Sequence, residues 1–332
     1  ISRMGFPRSM FPRLVDAWEL VGTVTKEAAE QTGLCEGTPV FGGTDDTSPV
    51  AIATGAIGLG QSYISSGSGG NIAANTAGPV SHPTAITYPH CIPGLSITIT
   101  VMTSMGLSYK WMRNTFGDLE TEQGKKTGID PYEYMNRKAQ TSRPGSGGVV
   151  CLPYLDGDYT PNNDCNARGV FIGMSTGTTK GDMFRAVLEG VAFSVLDNLM
   201  LFGQFGAKIS EIVLTGGLAK SALWLQIISD VTGCPISLPE ETEGAAFGSA
   251  LIAGVGAGLF ADFEEAVERM VKIRRHAFVP HTENHEIYRE LFSVYKSLYP
   301  KLKDTFSQLA DIRNKLQKSE PEREEVNTCV NK

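Results

Sequence analysis

Three common signatures are missing from the 332-residue sequence: GxxxxGK followed by Ser or Thr, HExxH, and CxxC. The first absence excludes a P-loop for nucleoside triphosphates, the second a helical zinc-protease site, and the third a zinc ribbon or a dithiol redox centre. The cysteines (Cys35, Cys91, Cys151, Cys165, Cys234 and Cys329) are scattered, which reads as free thiols of a cytoplasmic protein, not a disulfide framework. Positive charge is also short: 29 Lys and Arg against 36 Asp and Glu give a net charge of −7. No basic face for nucleic acid is expected from that balance. No secretory leader is recognisable. The nearest thing to a membrane span, GAAFGSALIAGVGAGLFA from Gly244 to Ala261, is mostly Gly and Ala and is bracketed by Glu243, Asp262, Glu264 and Glu265. It reads as a tightly packed helix with Gly244 and Gly248 on its contact face, so no membrane partner is expected.

What is present is an alternation of short apolar stretches with helical ones. TKEAAEQTGL predicts a helix capped by Thr25 and closed by Gly33. PVFGG reads as a short buried strand, and SPVAIATGA as a helix of small residues. SYISSGSGGNIAA predicts a hairpin around its glycines, and ITITVM (97–102) another strand. In GLSYKWMRNTFG the spacing places Leu107, Trp111 and Met112 on one helical side. A polar, helical surface excursion fills 114–148, then GVVCLPYL reads as a buried strand. The clearest long predicted helix covers 179–202. EIVLTGG then feeds a helix over 221–233, closed by Gly233 and Pro235. A charged amphipathic helix over 284–317 carries Leu291, Tyr295, Leu298 and Leu302 on one face, and the tail from 318 to 332 reads as disordered. Strands alternating with helices, with glycine loops at strand ends, predict a layered α/β fold with ligands at the strand tips.

Three loops are candidates for chemistry: GTDD, GSGG and TGGLAKS. Glycine lets backbone N–H groups approach an anion, although any one of these loops alone is more often an ordinary turn. GSGGNI begins like a dinucleotide fingerprint but has Ile72 in place of the last glycine. Trp224 shares a helical face with Ile227 and Ile228 and reads as core, not as a stacking platform for a base.

Taken in order, these segments resemble the FGGY family of carbohydrate kinases, on the actin-like (ribonuclease H-like) ATPase fold with a mixed sheet flanked by helices. The family has a Gly-x-x-Asp stretch followed at a fixed distance by a Gly-Thr-Ser-Gly turn. If Asp46 is that aspartate, the turn falls without gaps on Gly67, Ser68, Gly69 and Gly70; Asp45 would need an insertion. RGVFIGMSTGTTKGDMFRAVLEG looks like the second family signature, with Gly169, Gly173, Met174, and Ala186 to Glu189 at its fixed positions. LPYLDGDYTPNNDCNARG resembles the strand and loop before it, TGGLAKSALWLQIISDVTG the adenosine segment, and EGAAFGSALIAGVG the later small-residue helix. Three departures stand out: Ser68 for the usual Thr, Leu218 for a third Gly, and Asp158-Tyr159 for Glu-Arg.

The resemblance implies ATP and Mg²⁺ as cofactors, with no dedicated protein metal site, and a small sugar or polyol as acceptor, the pentulose kinases being nearest. It implies Asp46 as general base, with Asp45 beside it at the substrate. It puts Gly67, Ser68 and Gly69 at the phosphates, Gly106 and Lys110 near the phosphates and ribose, and Gly216, Gly217 and Lys220 at the adenosine. Residues 1–35 resemble an inter-lobe stretch and 36–317 the nucleotide-side lobe. Because Ile1 opens the chain, a first lobe is expected to be missing, and the chain alone should bind ATP poorly and phosphorylate no sugar. A homodimer is possible through the lobe-facing surface. The competing reading is an actin-like nucleotide-binding module without catalysis.

Overall fold

The computed structural model describes residues 4–241 and 243–319. Its first elements are β1 (Leu20–Thr23), α1 (Lys26–Thr32) and β2 (Pro39–Phe41). Thr25 caps α1 by accepting the Ala28 N–H, and Gly33 closes it at φ 76°, as the sequence punctuation predicts. The PVF stretch is a strand, but not a buried one. It pairs antiparallel with β1 in a separate ribbon, and Pro39 and Val40 stay exposed because no layer covers them. That pairing joins residues on either side of position 35.

The chain continues through α2 (Thr47–Ala53), β3 (Ser62–Ser66), β4 (Gly70–Thr76), β5 (Ala85–Pro89), β6 (Ser96–Met102), α3 (Met105–Phe116), α4 (Asp118–Thr127) and α5 (Pro131–Gln140). It ends with β7 (Val150–Leu152), β8 (Val170–Ile172), α6 (Lys180–Gln204), β9 (Ile212–Gly216), α7 (Ala222–Thr232), β10 (Ile236–Pro239), α8 (Gly244–Gly256), α9 (Phe263–Met270), β11 (Ile273–Phe278) and α10 (Thr282–Ser319). Seven strands make one mixed sheet in the order β11-β10-β9-β3-β4-β6-β5. In its centre β3 and β10 flank β9 in parallel, while β3, β4, β6 and β5 pair antiparallel.

The twofold period of the strands sorts their residues between two cores. Ile64, Ile72, Ala74, Ile212 and Leu214 point into the large cluster with α3, α6, α7 and α10. Tyr63, Ala73, Ile97 and Val213 point the other way, onto Ala51 of α2. α6 is buried around most of its circumference, as expected of a helix apolar on all sides, and a capping box between Thr179 and Asp182 starts it. It is long and apolar enough to cross a membrane, but most of it lies inside the protein. The Gly244–Ala261 stretch yields only the shorter α8, ending at Gly256. A Cβ at Gly248 would lie 1.8 Å from the Pro49 carbonyl, so glycine is what lets α8 seat on α2.

Two further expectations need correction. α3 buries Met105, Ser108, Tyr109 and Met112; Leu107 and Trp111 flank this face, half-buried. The apolar count passed over Ser108, whose hydroxyl is satisfied inside by the Ser104 and Pro153 carbonyls. α10 begins at Thr282 and takes in Lys318 and Ser319, the first residues of the expected tail; residues 320–332 lie outside those described.

Candidate nucleotide and catalytic site

β3 carries the site. Its last residue, Ser66, pairs with Gly70 across the hairpin and with Gly216 of β9 on the other side. The hairpin turn is therefore Gly67-Ser68-Gly69, closed by the Gly67 N–H donating to the Gly69 carbonyl at 2.8 Å. The start of α3 docks onto this turn: the Gly106 N–H donates to the Gly67 carbonyl (3.1 Å) and the Leu107 N–H to the Ser68 carbonyl (2.9 Å). A Cβ at Gly106 would sit 2.4 Å from the Gly67 carbonyl, so this approach requires glycine.

The third loop arrives from β9. Gly216 has φ 91° and ψ −156°, a region essentially reserved for glycine, and a Cβ there would lie 2.1 Å from the Ser66 carbonyl. After it, Gly217–Lys220 forms a single 3-10 turn, and Ser221 caps α7 by accepting the Trp224 N–H. The loops that the sequence singles out around 67, 106 and 216 thus meet at one edge of the sheet, with Gly67, Ser68, Gly216, Gly217 and Lys220 exposed there. Lys110 is exposed one turn into α3 from Gly106. Leu218, in place of a third glycine, is buried. Its Cδ1 would be 3.7 Å from a Cβ at Gly106, so the side chain packs inward between the loops.

Trp224 is core: it is 4% exposed and its Nε1–H donates to the Leu188 carbonyl. Glu189, which closes the second signature, is a buried acceptor. It takes bonds from Arg185 Nε (2.7 Å), Tyr288 Oη (2.7 Å), the Gly145 N–H and Ser146 Oγ, tying α6 to α10 and to the 145–146 turn. Its role in this fold is structural.

Asp45 and Asp46 are exposed at the start of α2. Tyr63 Oη donates to the Thr47 carbonyl near that start, whereas Asn75 Nδ2 donates to the Ala56 carbonyl just past the helix end. The Asn75 N–H in turn bonds the Gln61 carbonyl, immediately before β3. α2 therefore lies along the face of the sheet that carries Tyr63, and the Cys91 N–H donates to Ser48 Oγ (3.3 Å), tying its first turn to the connection between β5 and β6. The two acids differ locally. Asp45 Oδ1 accepts from Thr44 Oγ1 (3.1 Å) and from the Ser48 N–H (3.4 Å), so it orders the turn. Asp46 occupies the N-cap position, yet its side chain makes no capping bond. Burial raises the Tyr63 phenol far above its usual range, and the negative charges of Asp45 and Asp46 add to that. His90, also buried, is lowered to about 4 by desolvation and stays neutral, with Nδ1 accepting the Ile92 N–H.

The strand-and-loop segment before β8 supports the cradle from behind. Thr103 Oγ1 donates to the Gly157 carbonyl (2.6 Å), and the Asp156 N–H donates to Ser104 Oγ (3.3 Å), directly before α3.

Residues 63–257 match the C-terminal domain of the FGGY family of carbohydrate kinases. The chain belongs to that family. FGGY relatives cover almost all of it: it is 31% identical over 312 residues to the xylulose kinase of Staphylococcus epidermidis, a match that takes in 92% of this chain and 60% of that protein. It is 32% identical over 301 residues to the autoinducer-2 kinase of Klebsiella pneumoniae, covering 89% of this chain and 56% of that one. The crystal structure of xylulose kinase from Rhodospirillum rubrum superposes with a TM-score of 0.79 at 28% identity, over 92% of this chain and 60% of that one. The expected actin-like fold is thus the observed one. The chain spans about three fifths of the length of the FGGY relatives it matches, 60% of the S. epidermidis protein.

Proposed function

We propose that the protein acts in ATP-dependent phosphorylation of a small sugar or polyol, with Asp46 as general base and a pentulose such as xylulose as the favoured acceptor. The observation that carries this reading is the meeting of the 67, 106 and 216 glycine loops beside the ends of β3 and β9; the family spacing from Asp46 to Gly67 supports Asp46 as the base. The relatives named as xylulose and autoinducer-2 kinases support the acceptor class.

Phosphoryl transfer asks the protein mainly to position the reactants and take one proton. The Gly67 and Gly106 N–H groups are bonded within the cradle, so the exposed glycines chiefly leave room for phosphate oxygens, and Lys110 and Lys220 supply positive charge nearby. Among the described residues no three His, Cys, Asp or Glu side chains cluster to hold a metal. Mg²⁺ is read as entering on the phosphate oxygens, where it neutralises the charge of the transferred group. Asp46 takes the acceptor's hydroxyl proton as the acceptor oxygen bonds to the γ-phosphorus, and the bond from that phosphorus to the β–γ bridging oxygen breaks to release ADP. Its freedom from capping suits that role, since Asp45 already orders the turn.

Replacing Asp46 with Asn tests the assignment. In the full-length protein kcat should fall by about 10²–10⁴-fold, while calorimetric ADP affinity stays unchanged. Asp45→Asn should weaken the turn, with a smaller kinetic loss. The reverse ranking would move the base to Asp45. Unaltered turnover in both variants would exclude both carboxylates as the base; a parent that binds ADP but turns over no sugar would leave a nucleotide-binding module without this chemistry.

A further inference from the structure

Ser66 is the last side chain on β3 before the glycine turn, and it is 5% exposed. Its Oγ–H donates to the Thr215 carbonyl at 2.6 Å, and the same oxygen accepts the Leu218 N–H at 3.1 Å. Thr215 and Leu218 bracket Gly216-Gly217, so one buried hydroxyl holds both shoulders of that loop. The Ser66 carbonyl sits where a Cβ of residue 216 would fall. One residue further along the backbone, the Gly67 carbonyl receives the Gly106 N–H. A single residue therefore fixes the 216 loop against the turn that also carries the start of α3.

We propose that Ser66 is a positioning residue for the nucleotide: its hydroxyl sets the spacing between the 67–69 turn and the 216–217 loop, and so aligns the phosphate end of the cradle with the nucleoside end. The proposal rests on the kinase reading above. Without the hydroxyl, the Leu218 N–H loses its acceptor inside the protein, and an unpaired buried donor is costly enough to shift a short loop. The Leu218 side chain remains buried and still packs, so the fold persists while the loop loses its register.

The test compares Ser66→Ala and Ser66→Thr with the unaltered protein, all at full length, using Mg·ADP titration calorimetry, thermal melting, and steady-state kinetics with ATP and D-xylulose. The alanine variant should bind Mg·ADP about tenfold more weakly and raise KM for ATP by a similar factor. KM for the sugar, and kcat at saturating ATP, should move by less than about twofold. The threonine variant keeps the hydroxyl and should recover most of the affinity. The proposal is overturned if the alanine variant binds Mg·ADP as tightly as the parent and only melts earlier. It also fails if the loss falls equally on both substrates, or if threonine does not recover what alanine loses. An unaltered protein that does not bind Mg·ADP at all would instead bring down the kinase reading itself.

Discussion

The glycine cradle and the Asp45–Asp46 tip of α2 are built in opposite ways. The cradle is backbone. Gly67, Gly106 and Gly216 each touch another loop's main chain or bond to it, and a buried serine ties two of those loops together. The tip is side chain: two exposed carboxylates at the start of a seven-residue helix, one of them ordered by Thr44 and Ser48, the other uncapped. Gripping a polyanion needs many fixed N–H groups, which only the fold can supply. Moving one proton needs a single free carboxylate, which two bonds at its neighbour can leave available. Damage to the cradle should therefore appear in binding, and damage to the tip in rate.

The sharpest way to break this contrast is Gly216→Ala. The backbone there is left-handed, and a methyl would strike the Ser66 carbonyl at 2.1 Å. Relieving the strain means moving the loop, and ADP affinity should fall about a hundredfold by calorimetry. Gly217→Ala is the control within the same loop: a Cβ at 217 has only the Ser66 carbonyl near it, at 3.9 Å. Its thermal stability should stay near that of the parent. A Gly216→Ala protein that binds ADP normally would show that the cradle tolerates displacement and that its geometry is not what grips the nucleotide.

The tip can be moved from behind without touching its acids. Gly248 of α8 faces the Pro49 carbonyl in the first turn of α2, where a Cβ would stand at 1.8 Å. Gly248→Ala should cost about 3 kcal/mol in chemical denaturation, as overpacking at a helix contact does. By shifting α2 it should also lower kcat more than it weakens ADP binding. Equal losses in the two would mean that cradle and tip move as one body.

How far this arrangement was legible beforehand depends on where each signal lies in the chain. The 62–76 hairpin announces itself through strand alternation broken by GSGG, α1 through Thr25 and Gly33, and the end of α7 through Gly233. β10 and β11 went unanticipated. The first alternates Ile236, Ser237 and Leu238 but is only four residues long, and the second is an edge strand with Arg274, Arg275 and His276 exposed and carries no apolar period. The convergence of the glycine loops was legible only through resemblance to a family. Ser66 was not legible at all. It lies in a run of serines and glycines, and its partners are 149 and 152 residues away, a pairing made by the parallel register of β3 and β9. The choice of Asp46 over Asp45 likewise comes from the ungapped family spacing to Gly67, which local composition cannot supply.

The smallest effect expected concerns the support behind the cradle, and it depends on pH. Asp158 lies in the loop whose Gly157 carbonyl and Asp156 N–H hold Thr103 and Ser104, and it is 4% exposed. Burial raises its carboxyl from 3.8 to about 7, against the bonds it accepts from Asn162 and with Asp197 and Asp164 adding negative charge. In the folded chain the proton is thus kept to near neutrality, while the unfolded chain gives it up near 3.8. Stability from this group is complete below about pH 4 and is lost as pH rises through 7. Asp158→Asn removes the titration and keeps an oxygen to accept from Asn162. At pH 8 the variant should melt above the parent, by the equivalent of about 2 kcal/mol, and at pH 4 the gap should close. His90 acts in the other direction. Held at about 4, it withdraws stability as pH falls from 6.5 toward that value, and it does so in parent and variant alike, so the difference between them isolates Asp158. If the gap stayed constant across that range, Asp158 would be ionised in the folded protein at all these pH values, and the loop behind the cradle would rest on a buried charge instead of a buried acid.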